Sequence, residues 1–205
     1  MHREPRYKNM KKTVFIFAAI MGLFVSMTAC ANKKANDMNA KANGTAQENG
    51  KTLVAYASYT GTTEGVAKMI ATATGGELYK IEPEKEYTAA DLDWTDKGSR
   101  CCKENADPKA RPAMKKSKLN LDQYDTIYLG YPNWWNSHPR LINTFIETYD
   151  LKGKTVIPFM TSGGSQIENS EIILKKDYPE INWKKGKLLN GASQSEVNAW
   201  VKTLQ

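Results

Sequence analysis

The chain has 205 residues, 40% of them hydrophobic and 25% charged, with a formal charge of +7. Most of that charge sits at the start: five Lys/Arg against one acid give residues 1–29 a charge of +4, residues 30–50 add +1, and 51–205 keep only +2. So small a surplus excludes a nucleic-acid-binding surface for the main body, and three Cys with no CxxC and no zinc-type spacing exclude a cysteine-built metal site.

Lys8, Lys11 and Lys12 lead into an apolar stretch from Val14 to Val25, which ends in the small residues Ser26, Thr28 and Ala29 just before Cys30. A membrane span needs ~20 apolar residues, so 1–29 reads as an export signal. Met27-Thr28-Ala29-Cys30 resembles a bacterial lipoprotein lipobox, with Met27 where that pattern usually has Leu. The resemblance implies acylation of Cys30 and a lipid anchor on the membrane of a bacterial cell envelope, on the secreted or periplasmic side. A plain secretory signal with an incidental Cys30 is the alternative. Met10-Lys11-Lys12 reads as a natural signal start, which would make residues 1–9 a start-site artefact. Residues 31–50 hold no aromatic and hardly any apolar side chain beyond Ala. They cannot offset the entropy of ordering, so 30–50 reads as the lipidated Cys and a flexible linker. The folded unit is then 51–205, a size for one domain with one core.

Lys51 to Ala57 is strand-like, and Val66, Met69, Ile70 and Ala73 fall at helical spacing until Gly75-Gly76 stops the helix. Glu77–Glu82 reads as a second strand closed by Pro83. Residues 84–118 are polar and irregular, a length that is functional or hides structure. Asp125–Tyr131 is a third strand, apolar enough for a sheet covered on both faces. After the loop 132–138, Pro139 opens a helix at its favoured first position, with Leu141, Ile142, Phe145 and Ile146 on one face. Lys154–Thr161 is a fourth strand, Glu168–Asp177 a helix, and Lys187–Leu189 a short final strand. Ser193 with Glu196 makes a capping box for a last helix burying Val197, Trp200, Val201 and Leu204. The alternation predicts an α/β fold with five parallel strands between two helix layers.

In such sheets ligands bind beyond the carboxyl ends of the strands, and three loops reach that edge. Ser58-Tyr59-Thr60-Gly61-Thr62-Thr63 puts hydroxyls where the first helical N–H groups lack acceptors, with no Lys or Arg, which suits one phosphate. An ordinary N-cap cluster is the alternative. Trp134 and Trp135 offer rings to stack on a flat heterocycle, unless they pack in the core. Thr161-Ser162-Gly163-Gly164-Ser165 has little bulk, so its backbone can reach the polar edge of such a ring. Together the loops describe a site for a flat, phosphorylated aromatic ligand.

Ser58-x-Thr60-Gly61-x-Thr63, Gly130-Tyr131-Pro132-Asn133-Trp134-Trp135 through Pro139, and Thr155-Val156-Ile157-Pro158-Phe159-Met160-Thr161-Ser162-Gly163-Gly164-Ser165 resemble the flavodoxins, in particular exported or single-domain bacterial flavodoxin-like proteins. Asp93-Trp94-Thr95-Asp96, Ser99-Arg100 and Arg111-Pro112 are similar to that group too. The resemblance implies a flavodoxin-like three-layer sandwich, strand order 2-1-3-4-5, with bound FMN. On it, Ser58, Thr60, Gly61, Thr62 and Thr63 hold the phosphate, with Tyr59 of the same loop counted among the cofactor-binding residues. Pro132, Asn133 and Trp134 flank the ring, with Trp135 as the substitute for Trp134, and Ser162, Gly163 and Gly164 meet its pyrimidine side, with Thr161 counted among the cofactor-binding residues. This sequence departs from the group twice: the second helix is replaced by the irregular 84–118 segment, and the domain is slightly basic where flavodoxins are acidic.

The expected function is electron transfer at the cell envelope, one electron at a time through the flavin semiquinone, with redox partners or small acceptors unspecified and no catalytic residue required. An FMN-dependent NAD(P)H or quinone-type reductase is the second reading, and a flavin-free module of the same fold the third. His138, the only His of the domain, is expected to cap the helix at Pro139, with proton delivery to the flavin as the alternative. Cys101 and Cys102 read as two loop thiols or a bonded pair. Lys109, Arg111, Lys115, Lys116 and Lys118 read as a solvated basic loop or a dock for an acidic partner.

Overall fold

The computed structural model describes residues 50–204; the expected signal, Cys30 and the expected linker up to residue 49 lie outside the described residues. In chain order the elements are β1 (Lys51–Tyr56), α1 (Thr62–Thr74), β2 (Glu77–Lys80), α2 (Arg100–Ala106), β3 (Tyr124–Pro132), α3 (Arg140–Tyr149), β4 (Thr155–Thr161), α4 (Glu168–Asp177), β5 (Asn182–Trp183), β6 (Lys187–Leu188) and α5 (Gln194–Lys202). The sheet runs β2-β1-β3-β4-β5, with β6 also on β4, and every pairing is parallel.

Side-chain alternation along the strands builds two cores. Leu53 and Ala55 of β1, with Ile127, Leu129 and Tyr131 of β3, face Leu141, Phe145 and Leu174 of α3 and α4. Val54, Tyr56 and Tyr128, with Ile157 and Phe159, face Val66 and Ile70 of α1 and Val197 and Trp200 of α5. Both faces are dry, which explains the nearly continuous apolar runs of the central strands.

The last strand differs from expectation. It is split into β5 and β6, which pair with the lower and upper halves of β4. The break lies opposite Pro158. The carbonyls of Val156 and Met160 accept from Lys184 and Leu189 on this edge, so Pro158, two residues from each, faces the same edge without an N–H to give. Gly186 fills the gap because a Cβ there would stand 2.5 Å from the Pro158 carbonyl oxygen.

Segment 84–118 also departs from its reading as irregular throughout. It contains α2, short and N-capped by the Ser99 side chain, so the second helix is present but reduced. The rest is tied down by side chains. Arg111 forks onto Glu147 of α3 at 2.7 Å on each arm, and Thr144 donates to the Pro112 carbonyl at 3.0 Å. Lys115 pairs with Glu82 and Glu86. The supposed basic loop thus spends two of its cations inside the chain, while Lys109, Lys116 and Lys118 have no acidic partner among the described residues. Cys101 and Cys102 are free thiols at the start of α2, not loop residues. The Ser193–Glu196 capping box of α5 is present in both directions.

Candidate functional site

Loops 58–61, 133–139 and 162–167 leave β1, β3 and β4 at the carboxyl edge of the sheet, and hydrogen bonds lock them together. Thr63 and Thr161 share a hydrogen bond at 2.8 Å, buried between α1 and the end of β4. The Asn133 amide donates to the Thr161 carbonyl at 2.7 Å. Thr161 is thus the hub that brings three distant stretches of sequence to one place.

The first loop leaves its helix uncapped. Gly61 occupies the N-cap at φ 86°, and no side chain caps α1 despite the hydroxyls around it. The first amides of α1 therefore have no intrahelical or capping acceptor, in contrast to α5. Thr60 and Thr62 are exposed and bond to each other at 3.2 Å, which uses one of their two hydroxyl protons. Ser58 Oγ is buried and has no partner among the described residues. Thr63, by contrast, is buried and engaged with Thr161, so its side chain faces the interior and not the loop's open side. The one acid in the first turn, Glu64, is matched by Lys68 at 2.6 Å.

Tyr59 turns toward the second loop. Its ring lies 5.3 Å from that of Trp134, and Tyr87 from segment 84–118 packs edge-on against both, at 4.8 and 5.6 Å. Tyr87 is held in turn by Arg100, whose guanidinium lies 4.0 Å over its ring, and by Glu104, which accepts from its hydroxyl at 2.5 Å. Burial is the main force pushing the Tyr59 and Tyr87 hydroxyls far up, so both stay neutral. Sequence reasoning missed Tyr87; an aromatic in the polar stretch 84–118 was the only available signal.

Trp135 and Asn136 form the tip of a tight turn closed by paired hydrogen bonds between Trp134 and Ser137 at 2.9 and 3.0 Å. Both have positive φ, 47° and 60°, the conformation a type I′ turn demands. Asn tolerates it; Trp does so at a cost of about 1–3 kcal/mol. The turn sends Trp135 outward, 42% exposed. The two indoles thus divide, one against Tyr59 and one toward solvent. Pro132 ends β3, and beside it Asn133 Oδ1 is buried without a partner among the described residues.

The third loop holds itself. Ser162 Oγ accepts from the amides of Gly164 and Ser165 at 3.1 and 2.8 Å, and the Asn190 side chain clasps the backbone N–H and C=O of Ser162. Asn190 comes from the β6–α5 connection, which is why spacing did not single it out. Gly163 takes no part in these bonds. A Cβ on Gly61, Gly163 or Gly164 would meet nothing within 4 Å; the glycines border open space.

His138 does not cap α3. Pro139 takes that position with no side-chain cap, one residue before the predicted place, and the imidazole turns inward. Its Nδ1 lies 3.2 Å from Ser170 Oγ of α4, which donates to Tyr131 at 3.0 Å, so Nδ1 carries the proton in this chain of bonds. Burial first, then the charge of Arg140, pull the imidazole down from 6.5 to about 3. The unfolded chain protonates this group near pH 6.5 and the folded chain does not. Stability is therefore full above that pH and falls as pH drops toward 3, by about 1.4 kcal/mol per unit. Replacing His138→Asn is expected to flatten this slope in denaturant titrations at pH 4–7; an unchanged slope would show that His138 is not its source.

A concavity of about 660 Å³ lies at the opposite edge of the sheet and is lined by Gly50, the first described residue, with Lys51, Thr126 and Thr155. It holds no residue of the three loops. Among the described residues no His/Cys/Asp/Glu cluster could hold a metal, and no helix is long and apolar enough to cross a membrane.

A doubly covered parallel sheet in the order 2-1-3-4-5, with a hydroxyl loop, an aromatic loop and a glycine loop at its carboxyl edge, defines a flavodoxin-like protein; β6 is an addition. The chain belongs to the flavodoxin family, whose model matches residues 51–204. It is similar to crystal structures from Bacteroides uniformis ATCC 8492 and Bacteroides eggerthii DSM 20697, both provisionally termed flavoproteins. The first is 58% identical with TM-score 0.74, covering 76% of this chain and 99% of that one. The second is 54% identical with TM-score 0.73, covering 76% and 98%. A Lactobacillus acidophilus NCFM flavoprotein, crystallised in complex with FMN, shares the fold at 22% identity and TM-score 0.59, over 74% of this chain and 99% of that one. No curated protein matches the chain.

Proposed function

We propose that this protein binds FMN and carries electrons one at a time at a bacterial cell envelope, where a lipid on Cys30 would tether it. One observation carries the cofactor assignment: α1 begins without a side-chain cap although hydroxyls surround it, and buried Ser58 Oγ and Asn133 Oδ1 lack a partner among the described residues. Buried polar atoms left without partners are uncommon and costly. The family's fold, and a distant relative crystallised with FMN, support the same reading.

The residues divide the work. Thr60, Thr62, Ser58 and the first amides of α1 would hold the phosphate, helped by the positive end of the helix. Asn133, Trp134 and Trp135 would line the ring, with Gly163 and Gly164 presenting backbone at its polar edge. When bound, FMN supplies the redox chemistry. The protein's own contribution is a neutral setting. Loops 58–61, 133–139 and 162–167 contain no Lys or Arg, and the tyrosines beside them stay protonated. With no cation in these loops and Arg100 beside them paired with Glu104 at 2.6 Å, extra negative charge on the ring is disfavoured, which makes the reduced cofactor a strong donor.

The test is the visible spectrum of the purified protein. One equivalent of flavin absorbance, present on isolation or gained on adding FMN and retained on gel filtration, is expected. A colourless protein that takes up no added FMN would overturn the proposal in favour of a flavin-free module.

A further inference from the structure

The cavity of about 660 Å³ at the amino edge of the sheet lies on the face that α1 and α5 cover. Both helices stop short of this edge, α1 at Thr74 and α5 at Lys202, and Thr74 and Leu204 become walls of the cavity. Its floor is made by the first residues of three neighbouring strands. Thr52 of β1 pairs in register with Thr126 of β3, and Thr126 with Thr155 of β4. All three threonines line the cavity and are half-buried. They form a row of hydroxyls that repeats at the strand spacing of about 4.8 Å. One repeat further along the same face, Tyr128 and Ile157, again register partners, continue the floor. Each hydroxyl can both donate and accept. That of Thr155 accepts from the Asn182 side chain at 3.0 Å and keeps its own proton for a ligand.

We propose that this cavity is a second binding site, for a neutral sugar of the pyranose class. The charge of the lining selects a neutral ligand. Its charged members among the described residues are Lys51 and Glu77, which face each other at 3.8 Å and cancel. The carboxyl end of α1, with its partial negative charge, reaches the wall at Thr74 and Gly75 and disfavours a phosphate or carboxylate. Lys51 disfavours a second cation. The hydroxyl row selects a polyol. Alternate equatorial hydroxyls around a pyranose chair stand at nearly the spacing of hydroxyls on adjacent strands, so two neighbouring threonines can each bond one of them. Ile157 and Leu204 offer an apolar patch to the C–H groups of the ring. The volume falls within the range of small-molecule sites. The site stands apart from the FMN reading, because the cofactor edge lies at the other end of the strands.

Amide-shift titration of the isotope-labelled full protein with glucose, N-acetylglucosamine and maltose tests this. Saturable shifts confined to residues 51–52, 74–77, 126–128 and 155–157 are expected. Binding of glucose would mark a free sugar as the ligand, and binding of maltose alone a chain of sugars; either supports the site. Thr52→Val and Thr126→Val remove one hydroxyl each and keep the branched shape that strands favour. Each should weaken binding at least threefold and the pair about tenfold, as expected for the loss of ordinary hydrogen bonds, with the Tm unchanged. Tyr128→Phe, which leaves the packed ring in place, gives a second variant. No saturable shift with any of the three sugars, or equal affinity in the double valine variant, would overturn the proposal. Tighter binding of inorganic phosphate or choline at these amides would overturn it by showing that charge is what the cavity recognises. Displacement of the sugar by FMN would do so by placing the sugar in the cofactor cleft.

Discussion

Replacing Thr60→Val and Thr62→Val together is expected to raise the dissociation constant for FMN about 100-fold and to leave that for riboflavin within twofold. Valine keeps the branched shape of threonine and removes only the hydroxyl, and both positions are exposed, so the fold should not respond. The two hydroxyls share one hydrogen bond at 3.2 Å, and with a ligand bound both protons can turn to it. Hydrogen bonds to a charged group contribute about 1.5–3 kcal/mol each, and each 1.4 kcal/mol is about tenfold in affinity. Partial exposure places the pair at the low end, hence the factor of about 100. Thr63 is the wrong residue for this test although its spacing suggests it. Its hydroxyl is bonded to Thr161 in the interior, and Thr63→Val would orphan that partner and loosen all three loops. Fluorescence titrations with FMN and riboflavin give the readout. Equal weakening of both ligands, or of neither, would remove the phosphate from this loop.

The second large effect concerns the sheet beneath the site. Gly130→Ala should destabilise the protein by about 3 kcal/mol, the upper part of the range for overfilling a packed core. At roughly 2–4 °C per kcal/mol for a chain of this size, the Tm should fall by about 6–12 °C. Gly130 faces Phe159 across the β3–β4 pairing, and a Cβ on it would lie 2.1 Å from the tip of that ring. The ring cannot retreat, because Phe159 is wholly buried among Tyr128, Ile157 and Trp200. Phe159→Leu shortens the side chain and makes room. The double variant should therefore be less unstable than the two single losses combined, a coupling that distant sites do not show. Strict additivity in denaturant melts would mean that Gly130 is required for some other reason.

Much of this protein is legible in one dimension because its determinants are local. The doubly wound fold follows from apolar runs separated by helical periods, and Gly75, Ser193 and Glu196 terminate or start helices by rules that act over a few residues. The hydroxyl loop, the tryptophan pair and the glycine turn are recognisable for the same reason. Each is a short composition matched to the turn between a strand and a helix, and parallel topology then carries all three to one edge. Splitting of the last strand was equally local in cause, but needed the knowledge that Pro158 faces β5 and β6 and not β3.

Which side chains remain available to a ligand was decided only by the tertiary structure. Thr60 and Thr63 look alike in sequence, yet one is exposed and the other is spent on Thr161, 98 residues away. His138 looks like a cap until Ser170, 32 residues on, takes its ring inward. Tyr87 and Asn190 reach the site from segments with no motif at all, because packing depends on distance in space and not along the chain. The sequence alone determined that a flavodoxin sheet would form and where its loops would gather. Folding decided which hydroxyls, amides and indoles are consumed in holding those loops, since each group forms its bonds with whatever neighbour the sheet brings near, and only the remainder is left to bind.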